Sequence, residues 1–462
     1  PLGPPPERLL DLCDRHGLLV QAEWPFFHGL DASEESMVAQ WRNWLDVCMR
    51  HPCVCLIHPW NETEEEHLTA GRRALERLRA EYPPFVLSHR DVTHVHKYWW
   101  SLFENLGLYF DSAEQFDEPV MADEFGGNYL DGKGDPGGYK TLTESFLRFL
   151  GRGHTREMRL RHHADANAKI AEYWRRIGAA GFSPFCILGS PEDGNHHYLG
   201  PLRDGRLKGV WDALTAAYAP QSCSLEVWDR NFSPAGTATL PLHLLNDTGE
   251  DARLSVRVSV LRRQPDRPRP AVEKTVAAPV DAHGRSRVDV PVELPDEEGE
   301  WELRAELEKP DPPCDEMAPV DRPVVSSWRC RTLRARPPEA LTGRTVAVPE
   351  YEPELAEFHR ACGLAVCEPG GGAAVMVTGR TSWDALDTAG VREASASAID
   401  AGTPVVMLDV GPMHLGPGYL GGDELGPLQG AMHLDEPEVA EQELFHGLRV
   451  TFRQLPEPES HV

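Results

Sequence analysis

Two glutamates follow apolar runs, each where a strand would spill into a loop. In Cys53-Val54-Cys55-Leu56-Ile57-His58-Pro59-Trp60-Asn61-Glu62, a stretch too short for a helix is stopped by Pro59 and followed by an amide and a carboxylate. Pro119-Val120-Met121-Ala122-Asp123-Glu124-Phe125-Gly126-Gly127 repeats the pattern, ending in glycines that let the backbone turn. Two carboxylates about 5 Å apart across the end of a parallel sheet can cleave a glycosidic bond, one attacking the anomeric carbon and the other protonating the leaving oxygen. Taken singly, Glu62 is as well read as a solvated loop residue or part of the N-cap region of a helix over 64–81. His94 and His96 alternate on one strand face, as metal ligands can, but the sequence shows no third ligand, which favours a hydrogen-bonding role. Cys53 and Cys55 alternate likewise and read as core.

These residues require parallel strands joined by crossover helices, and helical and strand patterns alternate from residue 7 onward. Helices are predicted over 7–16, ended by Gly17, over 33–50 with Ser33 as N-cap, and over 64–81, 141–150, 156–177 and 210–218. Strands are predicted at 18–24, 53–58, 85–88, 92–99, 119–125 and 181–188, with too few residues between 88 and 92 for a crossover helix. Past Pro220 the alternation becomes polar and apolar by turns, the pattern of a β-sandwich over 221–310. A proline- and charge-rich stretch, 311–340, reads as a linker, and 341–462 returns to β/α alternation. Gly370-Gly371-Gly372 precedes a strand and so is a loop, not a phosphate cradle.

With Lys+Arg 46 against Asp+Glu 73, the formal charge of −27 repels phosphate backbones and excludes nucleic acid as the expected partner. No apolar run reaches bilayer length, so no membrane partner is expected, and nothing in the chain sets its compartment. Ten cysteines without a CxxC pair read as free thiols.

Three segments in order carry a resemblance to glycoside hydrolase family 2, the β-galactosidases, β-mannosidases and β-glucuronidases. They are the run from Leu9 to Glu23, His51-Pro52 through Trp60-Asn61-Glu62, and Asp123-Glu124-Phe125-Gly126. The resemblance implies a (β/α)8 TIM barrel here lacking its first strands (1–220), followed by an immunoglobulin-like sandwich. The domain at 341–462 resembles flavodoxin-like or glutamine-amidotransferase-like accessory modules. It places the acid/base on Glu62 and the nucleophile on Glu124, with no cofactor and no metal. Asn61 would bond the sugar hydroxyl beside the reaction centre, Tyr98 would orient Glu124, Trp60, Trp99 and Trp100 would stack on sugar faces, and His28, His96 and Glu23 would line the site. Ordinary packing accounts equally well for Tyr98 and the tryptophans. His162-His163 and His196-His197 read as solvated.

The implied activity is retaining, exo-acting hydrolysis of terminal β-glycosides, with a β-galactoside-like substrate favoured and homo-oligomerisation left open. Phe185-Cys186-Ile187 stands where the family carries a tryptophan, and the residues that precede Pro1 in family members are not in this chain. The expectation is therefore little activity from the chain as given and an exposed apolar sheet edge. The alternative from another class is a non-catalytic carbohydrate-binding or scaffold protein; the presence of both acids argues against it.

Overall fold

The helix of residues Glu7–His16 (α1) buries Leu10 and Cys13 and ends at Gly17, whose φ of 66° lets its N–H bond back to the Cys13 carbonyl. Strand β1 (Val20–Glu23) pairs in parallel with β2 (Val54–His58). Between them crosses α2 (Glu34–Cys48), started by the Ser33 hydroxyl accepting the Ser36 N–H. Its apolar stripe of Met37, Val38, Trp41 and Leu45 packs on Trp24, Ile57 and Trp60. Helix α3 (Thr69–Glu81) covers the same core through Ala74, Leu75 and Leu78. The predicted strand at 85–88 shrinks to a single bridge between Leu87 and Ile57, and the Leu87 N–H, on the other side, donates to Asp91 Oδ2 at 2.9 Å. Strands β3 (Thr93–Tyr98), β4 (Val120–Gly126) and β5 (Gly181–Pro184) then form a second parallel sheet in the order β3-β4-β5. This computed structural model describes residues 3, 5–27, 32–63, 68–82, 84–88, 90–98, 112–126, 129–136, 150, 154–189, 195–228, 230–262, 270–308, 323–332, 343–349, 353–361, 363–369, 372–378, 398, 401–403 and 405–407. Within them the chain is a multidomain α/β and β protein.

Helix α4 (Arg156–Ile177), capped by Thr155 Oγ1 and ended by Gly178 at φ 82°, packs Ile170, Tyr173, Trp174 and Ile177 on β4. A Cβ at Gly178 would meet the end of the flexible Arg285 side chain, which can shift, so it is the positive φ that calls for glycine here. The short α5 (Val210–Ala217) adds Val210 and Leu214 to that core. His163 and His197, read as solvated from the sequence, are each 1% exposed with ring centroids 5.6 Å apart. Burial holds His163 well below the usual histidine range and pushes His197 down to about 4.

Two antiparallel-rich sheets follow. One has the order β11-β8-β6 and the other β10-β9-β12-β13-β7. They are built from β6 (Gln221–Leu225), β7 (Asn231–Phe232), β8 (Thr237–Asn246), β9 (Ala252–Arg262), β10 (Pro270–Val280), β11 (Gly284–Glu293), β12 (Gly299–Leu307) and β13 (Val325–Thr332). Their inward residues, among them Leu240, Leu242, Val256, Val258, Leu303 and Trp328, share one core. Strand β13 lies within 311–340, the stretch read as a linker. It pairs with β12 over Val325 to Thr332 and buries Ser326, Trp328 and Cys330, an alternation that the surrounding prolines and charges obscure. A third set, β14 (Thr345–Ala347), β15 (Ala365–Cys367), β16 (Val375–Thr378) and β17 (Val405–Met407), forms a parallel sheet ordered β15-β14-β16-β17, with α6 (Pro353–Ala361) beside it. The predicted helix over 141–150 falls largely outside the described residues.

A buried polar network fastens α4 to the sandwich. Lys169 Nζ donates to Glu172 Oε1 at 2.9 Å and to Ser326 Oγ at 3.0 Å, while Glu172 Oε2 accepts from Ser224 and Ser326 hydroxyls at 2.7 and 2.6 Å. Lys169 and Glu172 are 5% and 4% exposed, so removing one charge strands the other out of water. Glu172→Ala is expected to cost about 3–5 kcal/mol, read as a lowered unfolding midpoint in urea.

Candidate active site

Strands β1, β3 and β4 and the end of β2 with its following loop bring together four carboxylates (Glu23, Glu62, Asp123, Glu124) and three imidazoles (His58, His94, His96). Asp123, on β4, has a side chain only 2% exposed. His58 Nδ1 lies 3.5 Å from its Oδ2, and His96 Nε2 and His94 Nδ1 lie 3.5 and 3.8 Å from its Oδ1. Gln21 Nε2 donates to Oδ2 at 3.0 Å. The rings crowd closely, with centroids 5.3 Å apart for His58 and His94, 5.8 Å for His94 and His96, and 6.2 Å for His58 and His96. Burial favours the protonated acid, but His94, His96 and His58 outweigh it and hold the Asp123 carboxyl well below the usual carboxylate range.

His96 carries this cluster to the two glutamates. It is the register partner of Glu124 across the β3–β4 ladder, just past a shift in pairing between His94 and His96. Its Nδ1 lies 2.8 Å from Glu62 Oε1 and 3.5 Å from Glu124 Oε2. One ligand-capable atom each from Glu62, His96 and Glu124 falls within 4.8 Å of the others. Burial opposes a charged imidazole here, yet Asp123, Glu62 and Glu124 together push His96 up to about 11. A cationic ring beside both glutamates relieves the repulsion between their like charges.

Asn61 is 2% exposed, donates its backbone N–H to the Phe26 carbonyl at 2.7 Å and faces His58 Nε2 through Oδ1 at 3.4 Å. Trp60 is also 2% exposed and packs against Trp41, with centroids 6.3 Å apart, so it serves the core and not a sugar-stacking surface. Glu23 lies 4.0 Å from His58 Nε2, and burial raises its carboxyl above the usual value. Tyr98 ends β3 opposite Gly126, its side chain lying outside the described residues, as do His28, Trp99 and Trp100. Cys53 is buried but Cys55, expected beside it in the core, is exposed. His94 and His96 do not form one ligand pair: His94 falls with His58 and Asp123, and His96 with Glu62 and Glu124, groupings across neighbouring strands that alternation within one strand does not show. One signal did exist: a charged residue inside an otherwise apolar strand has to be paired.

No family model matches the chain, and no curated protein matches it in sequence. Among solved structures, the β-D-mannosidase of Dictyoglomus thermophilum is 14% identical with a TM-score of 0.48, over 71% of this chain and 44% of its own. The exo-chitosanase of Amycolatopsis orientalis is 11% identical with a TM-score of 0.47, over 71% and 44%. The β-glucuronidase of Bacteroides uniformis is 12% identical with a TM-score of 0.33, over 71% and 41%. The match thus spans less than half the length of each of these proteins.

Glu62 has φ 41°, a left-handed backbone that glycine adopts freely and other residues do not. Holding a non-glycine residue in this region costs free energy that the surrounding structure has to offset. Two variants that both lose the carboxylate isolate it. Glu62→Gly should be more stable than Glu62→Gln by about 1 kcal/mol, measured by urea unfolding.

Proposed function

We propose that the chain carries the catalytic pair of a retaining exo-β-glycosidase of the glycoside hydrolase family 2 type, held at the ends of parallel strands joined by helices. Glu124 attacks the anomeric carbon of a terminal β-glycoside, a β-galactoside-like sugar being favoured, and forms a covalent glycosyl ester. Glu62 gives a proton to the departing oxygen, then takes one from the water that cleaves the ester. Each step balances: the glycosidic C–O bond breaks as the Glu124 ester forms, and hydrolysis restores both carboxyl groups.

The observation that supports this reading is the approach of Glu62 and Glu124 within 4.8 Å around His96. A carboxylate that attacks directly needs its partner at about 5–5.5 Å, whereas one that activates an intervening water stands roughly 6.5–9.5 Å away. Both acids also sit at the C-terminal ends of parallel strands, where enzymes of this architecture hold their chemistry.

Incubation with 2-deoxy-2-fluoro-β-glycosides bearing a dinitrophenolate leaving group, in the galacto, manno and gluco series, tests the assignment. Peptide mass spectrometry should find one fluoro-sugar ester on Glu124 and none in Glu124→Gln. An ester on any other carboxylate would remove Glu124 from the role.

A further inference from the structure

Three contacts to Asp123 are longer than hydrogen bonds, although Gln21 bonds its Oδ2 at 3.0 Å and Ser88 Oγ stands 2.6 Å from His58 Nδ1. Hydrogen bonds from N–H to a carboxylate run at about 2.7–3.2 Å, yet three imidazole nitrogens stand 3.5, 3.5 and 3.8 Å from its two oxygens. Asp123 Oδ1 is fully buried and makes no hydrogen bond within normal geometry among the described residues. Two ligands on one tetrahedral zinc ion, each about 2.1 Å from the metal, are separated by about 3.4 Å. The spacing found here is therefore close to that between neighbouring ligands, and too long for atoms bonded through a proton.

We propose that His58, His94 and Asp123 bind a divalent zinc ion. One nitrogen from each imidazole and one oxygen of Asp123 already lie within 4.8 Å of one another, so modest contraction closes the shell, with a solvent molecule completing it. Two imidazoles and a carboxylate suit zinc better than the hard cations, which prefer all-oxygen shells. The outer shell is in place as well. With His58 Nδ1 on the metal, its Nε2–H points at Asn61 Oδ1, 3.4 Å away, with Glu23 Oε1 behind at 4.0 Å. Gln21 holds Asp123 Oδ2 at 3.0 Å. Such partners fix the tautomer and aim of the ligands. Ser88 Oγ, 2.6 Å from His58 Nδ1, gives up that contact when the ion takes the nitrogen lone pair.

The location supplies a role. Strand β2 belongs to the sheet with β1, and β3 and β4 belong to the other; between Ile57 and Leu87 runs one isolated bridge. His58 ends β2, His94 lies on β3 and Asp123 on β4, so one ion would fasten strands across this seam. The side chains of His58 and Asp123 are 0% and 2% exposed, which suits a structural ion beside the two glutamates instead of a metal that handles substrate. This proposal stands apart from the hydrolase reading, because its readout is metal binding.

The whole chain, stripped with a chelator and dialysed against zinc chloride, should retain one zinc per molecule by elemental analysis. His94→Ala and Asp123→Asn should weaken binding at least tenfold, while Glu62→Gln and Glu124→Gln, which spare this set, should keep it. X-ray absorption of the zinc-loaded wild-type chain needs no variant and should show two imidazoles and an oxygen-ligand remainder. Failure to retain stoichiometric zinc, retention undiminished in His94→Ala, a shell without two imidazoles, or loss on substituting Glu62 or Glu124 would each overturn the proposal; the last would move the ion to the other cluster.

Discussion

A carboxylate taken almost wholly out of water is among the costliest groups a fold can bury, and three imidazoles and the Gln21 amide surround Asp123. Much of the site depends on that compensation. His58 and His96 are drawn toward the same acid from β2 and β3, and each carries a second contact outward, His58 to Asn61 and His96 to Glu62 and Glu124. The two glutamates consequently meet around a ring whose position is set by a residue that neither of them touches in the ordinary sense of catalysis. Asp123 is better described as a positioning residue than as a catalytic one.

The framework around this point is stiff where precision matters. Trp24, Trp41 and Trp60 form a packed aromatic core under β1 and β2, and α4 braces β4 from the other side through Ile170 and Trp174. The same helix reaches the sandwich through Lys169, Glu172 and Arg175, the last bonded to the Ala219 carbonyl, Ser222 and Asp247. The sandwich is thereby coupled to the strand that carries Asp123 and Glu124.

Much of this was legible in the residues. Helix α4 announced itself by periodicity, α1 by Gly17, α2 by Ser33, and the two acids by their place after apolar runs. These signals are local, and local signals survive in a sequence. Register between strands is not local: nothing in the string shows that His96 stands opposite Glu124, or that His58 and His94 converge on Asp123. Trp60 beside Asn61 looked like a sugar platform because residue type alone does not tell which way a side chain faces once a strand has ended. The strand β13 was hidden by proline-rich flanks, although its alternation of buried Ser326, Trp328 and Cys330 was present.

The central claim is that Asp123 positions the glutamate pair, and the rate at which the fluoro-glycoside labels Glu124 in Asp123→Asn measures it most directly. With the fold verified by circular dichroism, the account predicts a fall of roughly a hundredfold, the cost of misplacing a reacting group by about 1 Å. Labelling at the unaltered rate would contradict it.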